Sequence, residues 1–174
     1  AWDATETSDI PKFYLDLRSY KKSLSSNNNP YTPAVNLLFA LDESLKMMME
    51  EGLEKIFKKH EKHKLAISNS MKVLNLKLFA NDKFLSPAIT SIEANGFDAE
   101  MFRKKIKDQY DILLAGGQDH LKGKIFRIGH LGYINDRDIL TGISAIGLSL
   151  VEMNLATTDE LGLALKTADQ FLKS

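Results

Sequence analysis

Hydrophobic residues recur at three- and four-residue intervals along the N-terminal part of the chain, a spacing that places them on one side of a helix. A short helix is predicted over 12–24, in KFYLDLRSYKKSL. After a loop rich in asparagine and proline, a longer helical pattern covers 32–74, in which Thr32 and Pro33 have the residue types of an N-cap and a first helical position. A bend or break is predicted near Gly52.

The pattern changes after this segment, where short β-branched or alternating stretches are separated by turn residues. Strands are predicted over 76–80, 88–94, 112–117 and 124–132, and helices over 98–110, from a cap at Asp136 to about Val151, and from Thr158. We therefore predict an α+β fold with long N-terminal helices followed by a small, mostly antiparallel sheet that has helices packed on one face.

Three segments are predicted along the chain: a linker segment with a short helix (1–31), a long connecting helix (32–74) and a small C-terminal α/β domain (75–174). The N-terminus, AWDATETSDIPKF, lacks an initiator methionine and has neither the basic start nor the apolar centre of a signal peptide. We therefore expect the chain to be part of a longer protein.

The composition narrows the possible functions. The 174 residues carry 23 Lys and Arg against 23 Asp and Glu, so no net charge favours nucleic acid or an anionic membrane surface. No apolar run approaches the ~20 residues of a membrane-spanning helix. The chain has no cysteine, which excludes disulfides, thiolate metal ligands and thiol nucleophiles, and fits a cytoplasmic location.

One permanent charge interrupts the apolar segment GKIFRIGHLG. On a strand, Arg127 faces the side opposite to Phe126 and Ile128. A guanidinium there needs a carboxylate, which its planar fork binds through two parallel hydrogen bonds, or an exposed sheet edge. Spacing alone favours an internal ion pair or an exposed edge over a binding site, and all three remain open.

The glycine-rich segment AGGQDHLKGK, 115–124, does not match a phosphate-binding P-loop. The spacing between Gly117 and Gly123 is one residue too long, and neither Ser nor Thr follows the Gly-Lys pair. We interpret the segment as a connection in which the backbone closely approaches a neighbouring group.

Three other features favour structural roles. His60 and His63 lie three residues apart in HEKH, but the lysines around them disfavour a cation, so we predict a solvated helix face and no metal site. The methionines at 47–49 are predicted to fill the core. His130, in an apolar strand, is predicted to be a hydrogen-bonded core histidine.

Three long stretches resemble, in this order, one known family. FYLDLRSYKKSL, NPYTPAVNLLFALDESLKMMMEEGLEKIFKKH and LLAGGQDHLKGKIFRIGHLGYIND are similar to the C-terminal half of class V, fold-type-I, pyridoxal-phosphate-dependent aminotransferases. The resemblance is strongest to alanine-glyoxylate and serine-glyoxylate aminotransferases and to cyanobacterial proteins described as the small subunit of a soluble hydrogenase. It extends from about Trp2 to Leu150 and implies the C-terminal domain fold of these enzymes.

The resemblance implies roles for individual residues. Arg127, in the RIG motif, would bind the α-carboxylate of the amino-acid substrate. Thr32, in the PYTP motif, would contact the cofactor phosphate of the neighbouring subunit, with Tyr31 beside it. Some members have a second phosphate contact, a tyrosine three positions before this threonine, where this chain has Asn29.

Other family residues carry over less completely. Gly116 and Gly117 resemble the loop that edges the substrate cleft, whereas no role carries over to Gln118. The family's Schiff-base lysine, and the aspartate that pairs with the pyridinium nitrogen, precede the region of resemblance and are expected upstream of residue 1. The chain alone is therefore predicted to be inactive, with no catalytic residue of its own.

For the complete protein, the resemblance implies a homodimeric enzyme that uses pyridoxal 5′-phosphate to move an amino group from a small amino acid, alanine or serine, to a keto acid such as glyoxylate. No nucleic-acid or membrane partner is implied. The cysteine desulfurases of the same superfamily are excluded because the chain has no cysteine. The alternative is a non-catalytic binding or assembly module, such as a hydrogenase-associated subunit.

Overall fold

The computed structural model describes residues 2–173. The chain is divided into two compact units between Glu51 and Gly52. The helices of the described residues are α1 (Trp2–Thr7), α2 (Leu17–Leu24), α3 (Val35–Glu51), α4 (Leu53–Val73), α5 (Ala99–Tyr110), α6 (Asp136–Glu152) and α7 (Thr158–Leu172). The strands are β1 (Lys77–Leu78), β2 (Ile89–Glu93), β3 (Ala115–Gly116) and β4 (Ile125–Gly129), and short 3-10 helices cover Asp82–Phe84 and Asp119–Leu121.

The first unit contains α1, which was not predicted, and a shorter α2 than predicted. Helix α2 begins at Leu17 because the Asp16 side chain accepts the Arg18 backbone N–H at 3.0 Å and caps the helix there. Phe13 precedes the helix, and its ring packs at 5.1 Å from the ring of Tyr31. The aromatic residues that suggested an earlier helical turn therefore build a loop cluster.

Helix α3 also differs from its prediction at the N-terminus. It begins at Val35, so Thr32 is not its N-cap and Pro33 is not its first residue. None of its described residues is buried, and Met47, Met48 and Met49 are 41%, 46% and 75% exposed. The prediction that these methionines fill a core is wrong for the described chain.

The predicted break in the long helical segment is confirmed. Gly52 has φ of +87°, a left-handed conformation that glycine adopts without steric penalty, and it separates α3 from α4. The division into a linker, a connecting helix and a C-terminal domain stays a prediction.

The second unit is built on a four-stranded sheet with the order β1-β2-β4-β3 and antiparallel pairing throughout. Thr90 pairs with Ile128 and Ile92 pairs with Phe126, so these side chains share one face. All four are buried, and that face covers the core beneath α4 and α5. The predicted α+β architecture is confirmed, although the strands are shorter than predicted.

Side-chain caps fix the helices around the sheet. Asp98 caps α5 as predicted, because its carboxylate accepts the backbone N–H groups of Glu100 and Met101 at 2.8 and 2.9 Å. The predicted cap of α6 is wrong by one residue, since Asn135 is the N-cap and forms a capping box with Asp138. This leaves the carboxylate of Asp136 free for a different contact.

Asp136 holds a buried histidine. His63 is fully buried, and its Nε2 lies 2.7 Å from Asp136 Oδ1, while Lys62 donates to Asp136 Oδ2 at 2.9 Å. Burial alone would raise the pKa of Asp136, but His63 and Lys62 together lower it. The solvated face predicted for HEKH is therefore wrong at His63. Among the described residues, no group of three or more potential ligands could hold a metal ion.

The predicted core histidine, His130, is confirmed. It is fully buried, its Nε2 lies 2.9 Å from the Thr90 hydroxyl, and its carbonyl oxygen lies 3.0 Å from His60 Nδ1. Burial lowers the pKa of His130 to about 4, and it also lowers the pKa of His63. Both side chains are therefore neutral in the folded protein at pH 7.

This burial predicts a loss of stability in acid. The unfolded chain takes up a proton at His130 near pH 6.5, whereas the folded chain takes it up only near pH 4, so the free energy of unfolding falls as the pH drops between these values. The expected loss at His130 is about 3 kcal/mol at pH 4. His130→Gln, which keeps a group that can bond Thr90, should reduce this pH dependence in urea unfolding. The exposed His120→Gln is the control, and an unchanged pH dependence in His130→Gln would contradict the prediction.

Candidate functional site

Arg127 lies at the centre of the sheet. It is the middle residue of β4, and its cross-strand partners are Ser91 on β2 and Ala115 on β3. Since Phe126 and Ile128 face the core, the Arg127 side chain leaves the opposite face. Its two neighbours on that face are small, which leaves space around a half-buried guanidinium.

Within residues 2–173 the guanidinium has one hydrogen-bond partner. Arg127 Nε donates a hydrogen bond to the Gly116 carbonyl oxygen at 2.9 Å. No carboxylate of residues 2–173 lies within the 4.0 Å of an ion pair with Arg127, and its two terminal nitrogens have no acceptor there. Because β4 lies between β2 and β3, Arg127 is not at an exposed sheet edge. Within the described residues it also has no internal ion pair, so neither structural alternative applies there.

The glycine-rich connection before β4 is closely packed. The Gly117 backbone N–H donates to the Ile125 carbonyl oxygen at 3.2 Å, and a Cβ at Gly117 would collide with the Leu121 carbonyl group. The close backbone approach predicted for this segment is confirmed. Gln118 is exposed and precedes the short 3-10 helix, whose Leu121 N–H donates to the Gln118 carbonyl oxygen.

Tyr31 and Thr32 lie in the first unit, beside an open cavity of about 730 Å³. The residues that line this cavity are Tyr14, Asn28, Asn29, Pro30, Tyr31, Thr32 and Pro33. Asn29 therefore lines the same cavity as the two predicted cofactor residues. The cavity volume is large enough to admit a phosphate group.

The two predicted cofactor residues differ in their surroundings. Tyr31 packs against Phe13 and Tyr14, at ring distances of 5.1 and 5.2 Å, and its hydroxyl donates to the Phe13 carbonyl oxygen at 3.3 Å. Thr32 is exposed, and its carbonyl oxygen accepts a long bond of 3.5 Å from the Tyr14 hydroxyl. Within residues 2–173 the Thr32 hydroxyl has no partner. Thr32 therefore offers a free donor, whereas Tyr31 holds the loop in place.

Sequence reasoning missed several polar contacts around the sheet. Arg103 on α5 bonds the backbone of the β3 segment, and Asp136 binds His63 across the fold. Neither pair has a sequence signal, because the partners lie 11 and 73 positions apart and belong to different elements. Of the residues that the family resemblance assigned to the substrate cleft, Gly116 and Arg127 are in direct contact.

Comparison with known proteins gives a consistent picture, although no family model matches the chain. Its sequence is 52% identical over 153 residues to that of a soluble hydrogenase small subunit of Synechococcus sp. (strain PCC 6716). This alignment covers 88% of this chain and 40% of that protein. The chain is 38% identical over 156 residues to an uncharacterized aminotransferase of Methanocaldococcus jannaschii, with 88% and 40% covered. The chain thus spans about two fifths of the length of these relatives.

A solved structure shows the same fold. The ureidoglycine-glyoxylate aminotransferase of Bacillus subtilis superposes with a TM-score of 0.86 at 30% identity, over 98% of this chain and 44% of that one. The match therefore includes nearly all of the chain but less than half of the known structure.

The packing of Gly117 predicts a stability difference between two alanine variants. Gly117→Ala should lower the free energy of unfolding by about 2 kcal/mol or more, because the added methyl group meets backbone that cannot rotate away. Gly162→Ala, on an exposed position of α7 with nothing within 4 Å, should raise it by about 0.5–1 kcal/mol. Urea unfolding measures both, and equal effects would refute the packing argument.

Proposed function

Because the chain is homologous to the C-terminal part of the class V aminotransferases, we propose that it supplies the substrate-carboxylate site of a pyridoxal-phosphate-dependent aminotransferase. The comparisons agree with the family resemblance of the sequence motifs. Substrates, cofactor and partners of the complete protein are part of the proposal.

The observation that carries the proposal is the state of Arg127. Its guanidinium is half-buried in the centre of a sheet, one nitrogen is fixed by a carbonyl group, and the other two lack acceptors within the described chain. Two terminal N–H groups in one plane match the two oxygens of a carboxylate. In this proposal Arg127 binds the α-carboxylate of an incoming amino acid and so orients its amino group.

Thr32 and the loop beside it fit a phosphate group. The Thr32 hydroxyl, which has no partner within residues 2–173, belongs to a residue that lines an open cavity and can donate to a phosphate oxygen. The ring contacts of Tyr31 hold the loop. Pyridoxal phosphate, when bound, supplies the electron sink that amino-group transfer needs. Asn29 occupies the position of the second family contact, so the phosphate would depend more strongly on Thr32.

The first unit supports assembly into a larger protein. Helix α3 exposes apolar side chains along its whole length: Val35, Leu37, Leu38, Phe39, Leu41, Leu45, Met47, Met48 and Met49. A surface of this kind is usually covered in a working protein. We propose that the complete protein, including the part that carries the reactive lysine, covers it within a homodimer in the cytoplasm.

Three relatives whose names include glyoxylate support the choice of donor and acceptor in this proposal. Proteins named L-aspartate–glyoxylate, (S)-ureidoglycine–glyoxylate and serine–glyoxylate aminotransferases are 31%, 34% and 32% identical to the chain. We propose a small amino acid, alanine or serine, as donor and glyoxylate as acceptor. Arg127 contributes to both half-reactions because amino and keto acids share the carboxylate.

A non-catalytic assembly module remains a second candidate, favoured by the 52% identity to a soluble hydrogenase small subunit. The two candidates differ in cofactor binding. The complete protein should acquire an absorbance band above 400 nm with pyridoxal phosphate if it is an aminotransferase, and a pure assembly module should not.

Replacing Arg127 by glutamine in the complete protein should lower kcat/KM for L-alanine with glyoxylate by about 100-fold, since the carboxylate loses its paired donors and the amino group is misplaced. The cofactor absorbance should be retained. Arg137→Gln, which removes an exposed arginine on α6, is the control and should leave turnover unchanged. Equal turnover of Arg127→Gln and the unmodified protein would exclude the carboxylate role.

Replacing Thr32 by valine in the complete protein should weaken pyridoxal-phosphate binding by about 10- to 100-fold, because a hydrogen bond to a charged group is worth about 1.5–3 kcal/mol. Thr32→Ser keeps the hydroxyl and should bind normally. Thr141→Val removes a hydroxyl that bonds only within α6, and it serves as the control. Equilibrium titration followed by absorbance measures affinity, and an unchanged value in Thr32→Val would disprove the contact.

A further inference from the structure

A second arginine holds the strand that Arg127 contacts. Arg103, on α5, donates from Nε to the Leu114 carbonyl oxygen at 2.7 Å, and its Nη1 lies 2.7 Å from Glu100 Oε2. The two side chains are 27% and 37% exposed. Glu100 therefore fixes the guanidinium, and the guanidinium fixes the start of β3.

The carbonyl groups of Leu114 and Gly116 lie on the same edge of β3. Alternate carbonyl groups of a strand point in the same direction, and the Gly117 N–H bonds to β4, so those of Leu114 and Gly116 point away from β4. Arg103 binds the first carbonyl group and Arg127 binds the second. One guanidinium thus binds the carbonyl group just before β3, and another binds the outward-facing carbonyl group within it.

Gly116 is packed directly against the Arg103–Glu100 pair. A Cβ at Gly116 would lie 2.5 Å from both Arg103 Nη1 and Glu100 Oε1. Gly116 pairs with Phe126 on the core face, whereas Arg127 leaves the opposite face. The peptide group of Gly116 therefore lies between the ion pair on one side and the Arg127 side chain on the other.

The strand needs this support because it is short. β3 has two residues at the edge of the sheet, with a loop on either side, and short edge segments open most easily. A shift of its carbonyl group would move the acceptor that orients Arg127. The buried Glu100 Oε1 has no hydrogen-bond partner in the described chain, and burying an unpaired oxygen costs free energy. An ion pair that served stability alone could avoid this cost by turning toward solvent.

We propose that the Glu100–Arg103 pair is a positioning device for Arg127. Through Leu114 and Gly116 it holds the carbonyl oxygen that binds Arg127 Nε, and this directs the two terminal nitrogens toward the substrate carboxylate. The inference rests on the proposed function for its effect on turnover, but the contact itself is testable without activity.

The direct test follows the Arg127 Nε–H by NMR in protein with ¹⁵N-labelled arginine. The hydrogen bond to Gly116 should slow its exchange with solvent, and Arg103→Gln should speed that exchange by tenfold or more. Lys105→Gln is the matched control, because it breaks another ion pair of α5, with Glu152, that does not touch β3. Unchanged protection in Arg103→Gln would overturn the proposal. If that variant does not fold, Arg103→Lys, which keeps the charge but lacks the Nε–H, replaces it under the same criterion.

The functional test is a double-mutant cycle in the complete protein, with kcat/KM for L-alanine and glyoxylate as the readout. Arg103→Gln should lower it about tenfold, and it should have no further effect once Arg127 is glutamine. Lys105→Gln should have no effect in either background. If the losses in kcat/KM of Arg103→Gln and Arg127→Gln multiply in the double variant, Arg103 acts independently of Arg127. That result would overturn the proposal.

The outcomes separate the two proposals. A large effect of Arg127→Gln with none of Arg103→Gln rejects the positioning device and leaves the carboxylate site intact. No effect of Arg127→Gln rejects the carboxylate site and the functional part of the inference, while the NMR measurement still decides whether Arg103 fixes the Arg127 side chain.

Discussion

The proposed site depends on a permanent positive charge in the middle of a small sheet that meets no carboxylate among the described residues. Arg127 satisfies one nitrogen with the Gly116 carbonyl group, and within residues 2–173 its charge meets no carboxylate. A half-buried charge without a partner is costly, and an incoming anion removes part of that cost. This is the physical basis for proposing that the site accepts a carboxylate.

The residues around Arg127 are small. Ser91 and Ala115 flank it across the strands, and Gly116 and Gly117 allow side-chain and backbone atoms to approach where a methyl group would collide. β3 itself consists only of Ala115 and Gly116, and arginines bind the carbonyl groups of Leu114 and Gly116. In the proposed site, small neighbours therefore leave space for a ligand, whereas Arg103 holds the strand whose carbonyl group binds Arg127.

Much of the fold followed from periodicity and caps. The α+β architecture, the break at Gly52, the Asp98 cap and the buried His130 were predictable because each depends on neighbouring residues or on a simple alternation. The errors arose where distant groups decided the outcome. His63 was assigned to solvent because its sequence neighbours are charged, yet it is buried against Asp136, which lies 73 positions away. The methionines of α3 were assigned to a core, but they are exposed within residues 2–173.

The sequence by itself indicated the family resemblance, the order of the helices and strands from α2 onward and the importance of Arg127, because motifs and hydrophobic spacing are local properties. Only the tertiary structure decided that Arg127 has no carboxylate partner within residues 2–173. It alone also showed that Tyr31 packs against Phe13 and Tyr14, and that Arg103 binds the Leu114 carbonyl group. These depend on which elements pack together and on where each side chain ends, and hydrogen-bond partners in space leave no mark in spacing along the chain.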